Sequence, residues 1–392
     1  MKITFVTSHL TVYGGGGIVV QDYANKLSEW DHQVSIVAQK VNDKYYQFDS
    51  DVKIIEIGGP LPLNPFHWIK LFHIRNKYLK TLKKINPNVA ISQNFPSNYF
   101  CTLKNEKKIF KHIFYCHEPY RYFHDKVFYS NLPPLMRLTC WFLRLLFKKY
   151  DVKSVKNVDK IVCNSKFTKR RVKKIYGEES IVHYPVLDMD KGFKKDWNIY
   201  KELNIGKNSP IIFTLGLTHY LKGSSEIMYI FKKVLEQIPN AVLVIGGWMI
   251  EENKRIINKL LSKLNIPNKN IIIYGYIQDE LLNNFYKNAT VTFYTALREP
   301  FGLIPVESMK NGTPVIAFKS GGPSETVLNN KTGFLIEPGN LKEFSSKTIK
   351  LIKNKDLRER FSKNCINYVK NNFNFEKAVQ NLESILSRIR NS

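Results

Sequence analysis

The chain has 392 residues, 60 Lys or Arg against 33 Asp or Glu, and a formal charge of +27, with 43% apolar and 13% aromatic residues. That length exceeds one ordinary core and fits two domains, and the apolar content is that of a folded soluble protein rather than a disordered polyelectrolyte. The charge points to an anionic partner such as nucleic acid, a phosphorylated substrate or a membrane surface, and composition does not choose among them. Five cysteines (101, 116, 140, 163 and 365) are odd in number, widely spaced and without a Cys-x2-Cys pair. They read as buried reduced thiols, not as a zinc or disulfide framework. No apolar run reaches the roughly 20 residues of a membrane span.

In chain order, MKITFVTSHL is too short an apolar run for a signal peptide and reads as a first strand. Tyr13-Gly14-Gly15-Gly16-Gly17 follows it and leads into a helix pattern, IVVQDYANKL. Glycines at the end of a first strand let the backbone turn sharply beside a ligand, with helix N–H groups aimed at it. The run is neither Gly-x-Gly-x-x-Gly nor a Walker loop. QVSIVAQ, NVAIS, KHIFYC and KIVCNS continue a series of short apolar strands. The stretch 66–84 carries six Lys or Arg and no acid, and 135–150 sets Leu138, Trp141, Phe142, Leu145 and Leu146 beside Arg137, Arg144, Lys148 and Lys149. Both read either as docking faces for an anionic bilayer or as helices packed on a sheet with a solvated basic side. Tyr115-Cys116-His117-Glu118-Pro119-Tyr120-Arg121-Tyr122 ends a strand, and Arg121 is a candidate contact for a phosphorylated acceptor. KFTKRRVKK (166–174) is a further cationic cluster.

The texture changes around 184–209, which lacks strand periodicity, and a second series follows: PIIFTLG, AVLVIGG, NIIIYGY, ATVTFY and TPVIAF. Strands alternating with amphipathic helices argue for parallel sheets covered by helices, so two such series predict two doubly wound α/β domains. Asp188-Met189-Asp190 at the junction has the form of a metal motif but is read without metal. Lys222, in Thr214-Leu-Gly216-Leu-Thr-His-Tyr-Leu-Lys222-Gly223, opens a helix where its ammonium would meet a diphosphate. The last segment, FNFEKAVQNLESILSRI, is an amphipathic helix with Phe375, Ala378, Val379, Leu382, Ile385 and Leu386 on one face.

The densest chemistry lies in 298–335, REPFGLIPVESMKNGTPVIAFKSGGPSETVLNNKTGFL. Glu299 sits on a loop, Gly302 and Leu303 start a helix, and Pro305 is tolerable only in its first turn. Glu307 then lies about 7 Å further along at roughly 1.5 Å per residue. Two carboxylates flanking bare helix N–H groups can grip a polyhydroxylated ligand carrying phosphate, the outline of a nucleotide sugar.

This stretch resembles the retaining glycosyltransferases of family four, through Glu299, Phe301, Gly302, Leu303, Glu307, Gly312-Thr313-Pro314-Val315 and Gly321-Gly322. The resemblance implies the GT-B fold: two Rossmann-like domains facing across a cleft, with the C-terminal helix crossing back to the first. The expected division is 1–190 for the acceptor, 191–372 for the donor, and 373–392 for the returning helix. It implies that Glu299 faces the transferred sugar, that Glu307 holds the donor ribose, and that the turn amides at Phe301, Gly302 and Leu303 contact sugar and diphosphate. By the same resemblance Gly15 and Gly16 face the diphosphate and acceptor, and His117 points into the cleft beside the sugar. Gly216 and Lys222 meet the leaving diphosphate, while Tyr276 and Ile277 run under the base with Leu281 packed nearby. The family usually has Gly-Arg-x4-Lys-Gly at the first of these loops; here Leu217 stands where Arg is expected. Glu299, His117 and Lys222 are thus the catalytic candidates, with no metal and no cofactor.

The activity expected is transfer of a hexose, first of all mannose from GDP-mannose, to a hydroxyl of a glycan or lipid-linked acceptor. UDP-sugars are the other donors kept open. The CHEPYRYFHD segment resembles that of mannosyltransferases of lipid-linked or O-antigen glycan assembly. The expected location is cytoplasmic, with a peripheral position at the inner face of the membrane. Two alternatives are weighed beside this one. One is a basic nucleic-acid-binding α/β protein, motivated by charge and interleaved aromatics; the other is a weakened transferase serving as a membrane scaffold, motivated by Leu217.

Overall fold

A computed structural model describes residues 1–62, 64–103, 109–189, 192–195, 197–217 and 220–391. Asp190 of the Asp188-Met189-Asp190 motif, and Thr218 and His219 of the Lys222 loop, lie outside the described residues. The chain forms two compact units, one of Met1–Leu187 with Phe375–Ser392 and the other of Asp188–Asn374.

The first unit is built on seven parallel strands: β1 (Lys2–Val6), β2 (Gln33–Ala38), β3 (Lys53–Glu56), β4 (Val89–Gln93), β5 (Lys111–Cys116), β6 (Lys160–Cys163) and β7 (Ile181–Val182), in spatial order 3-2-1-4-5-6-7. The second has six: β8 (Ile211–Leu215), β9 (Val242–Gly246), β10 (Ile271–Gly275), β11 (Val291–Tyr294), β12 (Val315–Phe318) and β13 (Gly333–Ile336), in order 10-9-8-11-12-13. Counted within its own sheet, each follows the Rossmann order 3-2-1-4-5-6, the first sheet adding one strand. Every pairing is parallel, for example Phe5 opposite Ile36 and Ile91. Helices therefore cover both faces, and the central strands are buried and largely apolar; β4 and β9 are buried at every position, β4 including Ser92 and Gln93.

Three strands went unread in the sequence, and all three are edges. Lys53–Glu56 is largely exposed, Ile181–Val182 is two residues long, and Gly333–Ile336 opens on a glycine whose absent side chain lets the backbone of Val315 pass. Edge strands need neither two buried faces nor length, so the apolar signal fades in them.

The terminal helix Phe375–Asn391 belongs to the first unit, burying Val379, Leu382, Ile385, Leu386 and Ile389. His183 fastens it, its Nε2–H donating to the Ala378 carbonyl at 2.8 Å while Nδ1 accepts from the Tyr115 hydroxyl at 2.8 Å. Phe375 meets Tyr23 edge-on at 5.7 Å.

The two basic stretches differ from expectation in detail. Residues 66–84 break at Lys70 into Pro65–Ile69 and Leu71–Ile85. Arg75 is not part of a solvated basic face: it is buried, donates to the Thr102 carbonyl, and lies 5.2 Å over the Tyr99 ring. In Pro134–Lys156, the residues packed inward are Cys140, Phe147, Asp151, Ser154 and Val155, and the leucine and aromatic face is turned to solvent.

Candidate active site

In the second unit, β8 and β11 are neighbours at the point where strand order reverses. Open α/β sheets bind ligands outside the carboxyl ends of such strands. After β8 the chain makes a short turn, Tyr220–Lys222, and Gly223 (φ 76°) caps the Ser224–Leu235 helix. This turn is stapled to the segment after β11: Thr295 Oγ1 donates to the Lys222 carbonyl at 2.7 Å, and Leu297 N–H donates to the Leu221 carbonyl at 2.7 Å. A Cβ on Gly223 would lie 2.6 Å from Thr295 Oγ1, so only glycine permits the approach.

Lys222 and Glu299 thereby meet, Nζ to Oε2 at 2.9 Å, with the side chains 12% and 20% exposed. The ammonium also lies 5.7 Å from the Tyr294 ring centre. The Glu299 backbone is held by β12's exit: the carbonyl accepts from Gly322 N–H at 2.7 Å, and a side chain at Gly321 would strike that carbonyl. Three residues on, Gly302 (φ 89°) caps the Leu303–Lys310 helix, whose first turn contains Pro305. Glu307, one turn further, accepts from the Tyr286 hydroxyl at 2.8 Å. The site thus holds a cation, two carboxylates and two helix N-termini, at Ser224 and Leu303.

Other predicted donor residues sit nearby, in different roles. Gly216 (φ 71°) donates its N–H to Gly246 at 3.0 Å, tying β8 to β9. Leu217 is buried in the main core of this unit with Ile227 and Met249, and its carbonyl accepts from Asn253 Nδ2 at 2.7 Å. Its side chain therefore faces the core, away from any phosphate. Ile277 and Leu281 fill a second core cluster with Phe213, Val244 and Phe285, while Tyr276, next to Ile277 in sequence, is exposed. Phe301 is buried and packs on Phe373 at 6.2 Å, so its side chain serves the core of this unit.

In the first unit, the glycine run is not a loop before a helix but its first turn. Gly14 is the extended N-cap, and Gly15, Gly16 and Gly17 begin the Gly15–Glu29 helix, whose first amides have no intrahelical acceptor. Gly17 must be glycine because Tyr46 occupies the space of a side chain, its hydroxyl donating to the Val12 carbonyl at 2.6 Å. The His117 ring abuts this turn, 3.7 Å from where a Gly16 Cβ would stand, and its Nε2 is buried without a hydrogen-bond partner. Burial lowers its pKa to about 4, so the ring is neutral at physiological pH. Arg121 is paired with Glu118 and lies 5.8 Å over Phe128, and Glu118 also faces Arg171 at 3.9 Å. Among the described residues no group of three His, Cys, Asp or Glu is placed to hold a metal, and all five cysteines are buried free thiols.

Tyr286, Tyr294 and Thr295 belong to the site and were not singled out from the sequence. Nothing in the local sequence marks Tyr286, and only the fold sets its hydroxyl on Glu307, 21 positions away.

The profile of "Glycosyl transferases group 1" matches residues 195–368, and that of "Glycosyltransferase Family 4" matches 13–191. The protein is a glycosyltransferase with two Rossmann-like α/β units, and the chain belongs to the group 1, family 4 glycosyltransferases. It is 26% identical to an alpha-1,3/1,6-mannosyltransferase of Debaryomyces hansenii, the alignment covering 89% of this chain and 82% of that one. The corresponding mannosyltransferase of Candida albicans is 24% identical, with 98% of each chain covered. A capsular polysaccharide biosynthesis glycosyltransferase of Staphylococcus aureus is 28% identical over 54% of this chain, which spans about half (53%) of that relative's length. Among solved structures, sucrose-phosphate synthase from Thermosynechococcus elongatus superposes with a TM-score of 0.81 at 17% identity, covering 99% of this chain and 98% of that one. An Anabaena protein solved with UDP and glucose gives 0.75 at 14%, covering 99% and 100%. At these identities the structures speak for the GT-B fold alone.

Proposed function

We propose that the protein is a retaining, metal-independent hexosyltransferase that moves mannose from GDP-mannose to a hydroxyl of a glycan or lipid-linked acceptor. The observation that carries the reading is the Lys222–Glu299 pair at the β8/β11 reversal, with Glu307 one helical turn beyond. The likeness to mannosyltransferases over most of the chain supports mannose as the sugar.

Binding comes first in the chemistry. Glu307 accepts hydrogen bonds from the ribose hydroxyls, replacing or sharing its bond from Tyr286. Glu299 faces the sugar hydroxyls, and Lys222 turns its ammonium to the diphosphate. In transfer, the anomeric carbon loses its bond to the diphosphate oxygen, which departs with the electron pair, and gains a bond to the acceptor hydroxyl oxygen, whose proton passes to the departing diphosphate. Negative charge therefore grows on the diphosphate, where Lys222 and the helix N-terminus at Ser224 oppose it without a metal. With Leu217 turned into the core, Lys222 and backbone amides carry that task where the family adds an arginine. In the first unit, neutral His117 and the amides of Gly15 and Gly16 offer hydrogen bonds to the sugar and acceptor, and Arg121, held by Glu118, borders the acceptor. Neither the nucleic-acid alternative nor the weakened scaffold is favoured by membership in a transferase family.

A thermal-shift panel of nucleotide sugars tests the donor. GDP-mannose at 100 times its dissociation constant should add about 2.7 kcal/mol of stability, with UDP-glucose and UDP-galactose giving less. Transfer assays on the donor that binds, with the product's anomeric configuration read by NMR, test retention. An inverted product, or no response to any nucleotide sugar, would overturn the reading.

A further inference from the structure

We propose that the outward face of the Pro134–Lys156 helix is a docking surface for an anionic lipid bilayer, into which it inserts its leucines and Trp141 lengthwise. This surface belongs to the first unit and is independent of the catalytic reading.

At about 100° per residue, Leu135, Leu138, Trp141, Phe142, Leu145 and Leu146 fall in one arc of roughly 140°. All six are exposed, Leu135 at 76% and Leu145 at 65%. The residues that pack inward, Cys140, Phe147, Asp151, Ser154 and Val155, lie on the opposite side. An amphipathic helix of a water-facing protein has the reverse arrangement, with its apolar stripe on the core. Here the stripe is a contiguous exposed apolar surface of the kind that marks an interaction site. Phe72 extends it, meeting Tyr150 edge-on at 5.2 Å, and Ile69 is exposed in the preceding helix.

Charge decides the occupant. Arg137, Arg144 and Lys148, spaced i, i+7 and i+11, run along one flank of the stripe, and Lys149 and Lys153 stand toward its C-terminal end. No acid occurs from Pro134 to Tyr150, and the nearest one, Asp151, is buried and accepts from His124 Nε2 at 2.6 Å and Tyr176 at 2.9 Å. Apolar side chains with a one-sided cationic border match the two layers of an anionic interface, acyl chains below and phosphates beside. Trp141 carries an apolar ring and one N–H donor, the residue type that sits at such a boundary. The helix lies on the bilayer and does not cross it, since no described helix is long and apolar enough to span.

Flotation of the full-length protein with phosphatidylcholine vesicles, with and without phosphatidylglycerol, tests this. The wild type should float with the anionic vesicles, less with the neutral ones, and release as salt rises. Leu138→Ser/Trp141→Ser/Leu145→Ser should lower partitioning at least about tenfold, three buried apolar side chains being worth more than that. Arg137→Glu/Arg144→Glu/Lys148→Glu should abolish the preference for anionic lipid. Leu138, Trp141 and Leu145 are exposed and Arg137, Arg144 and Lys148 half-buried, none of them in the core, so both variants should keep a cooperative melt near the wild-type temperature. Vesicles should also blue-shift tryptophan emission in the wild type and do so less in Trp141→Phe, a readout that does not depend on the triple variants. Equal flotation of wild type and the serine variant would overturn the proposal. So would a wild type that ignores both vesicle types but forms dimers that the serine variant loses, because the face would then belong to a second copy of the chain.

Discussion

Glu299 and Glu307 are both carboxylates of one loop and helix, yet their surroundings divide them. Glu299 is engaged by the Lys222 ammonium, and Glu307 by the neutral Tyr286 hydroxyl. Glu307→Ala should therefore weaken nucleotide binding by about 1.5–3 kcal/mol, the value of hydrogen bonds to a charged acceptor; unchanged affinity by calorimetry would sink the ribose assignment. Glu299→Ala should chiefly lower kcat, and normal turnover with a raised donor KM would show the roles reversed. Two histidines of the first unit set a pH dependence. Burial lowers His117 and His183 to about 4 from an ordinary 6.5. The folded state then binds fewer protons than the unfolded one between those values. Stability is full above about pH 6.5 and falls as pH drops toward 4, by up to roughly 3 kcal/mol for each ring. Denaturant melts at pH 7.5 and 5 should show the loss, and His183→Gln should reduce it by about half, leaving the His117 share; a melt that is level across this range would refute the assignment. His117, Glu299 and Lys222 could be picked out as residue types in sequence. Whether the imidazole was charged could not, because burial alone sets it.

At the level of elements, the site is made by turns that only glycine can complete. Gly223, Gly302 and Gly321 all have positive φ, and each lies where another segment passes: Thr295 at Gly223, Pro323 at Gly302 and the Glu299 backbone at Gly321. Gly321→Ala adds both strain and a collision with the Glu299 carbonyl. It should cost at least about 1–3 kcal/mol in stability and lower kcat by moving Glu299. Unaltered kcat in a folded Gly321→Ala protein would mean that the β12 exit does not position the carboxylate. The start of the Leu303–Lys310 helix was legible from Gly302 and Pro305, since few residue orders fit a first turn. Where the helix after β1 begins within the glycine run was not legible, because glycine is compatible with loop and helix alike, and the Tyr46 contact that excludes any other residue at Gly17 is tertiary. The Pro134–Lys156 helix was equally legible as an element. Its amphipathic pattern was in plain view, but a pattern names two faces without saying which is covered.

For the whole molecule, the chain leaves the first unit at Leu187 and returns to it at Phe375. Ending the chain after Asn374 removes five buried apolar side chains from the first unit. At about 1.5–3 kcal/mol each this is of the order of a domain's entire stability. Calorimetry of the truncated protein should show the second unit's transition retained and the first unit's lost or shifted far down; two unchanged transitions would show that the helix is dispensable.

The alternation of short apolar strands with amphipathic segments was enough to specify two doubly wound α/β units. Each central strand is buried on both faces and is therefore apolar at most positions, a demand that the local sequence records directly. The Glu-x7-Glu segment with its Pro-Phe-Gly-Leu turn likewise announced two carboxylates beside a helix start, the basis of the proposed sugar-nucleotide site. The tertiary structure decided what those residues touch. It put Lys222 on Glu299 across 77 positions, turned Leu217 inward, engaged Arg121 with Glu118 and withdrew Arg75 from the surface. Contacts of that kind depend on which strands become neighbours, and strand order is settled by how helices pack over a sheet, not by the local pattern of any one segment.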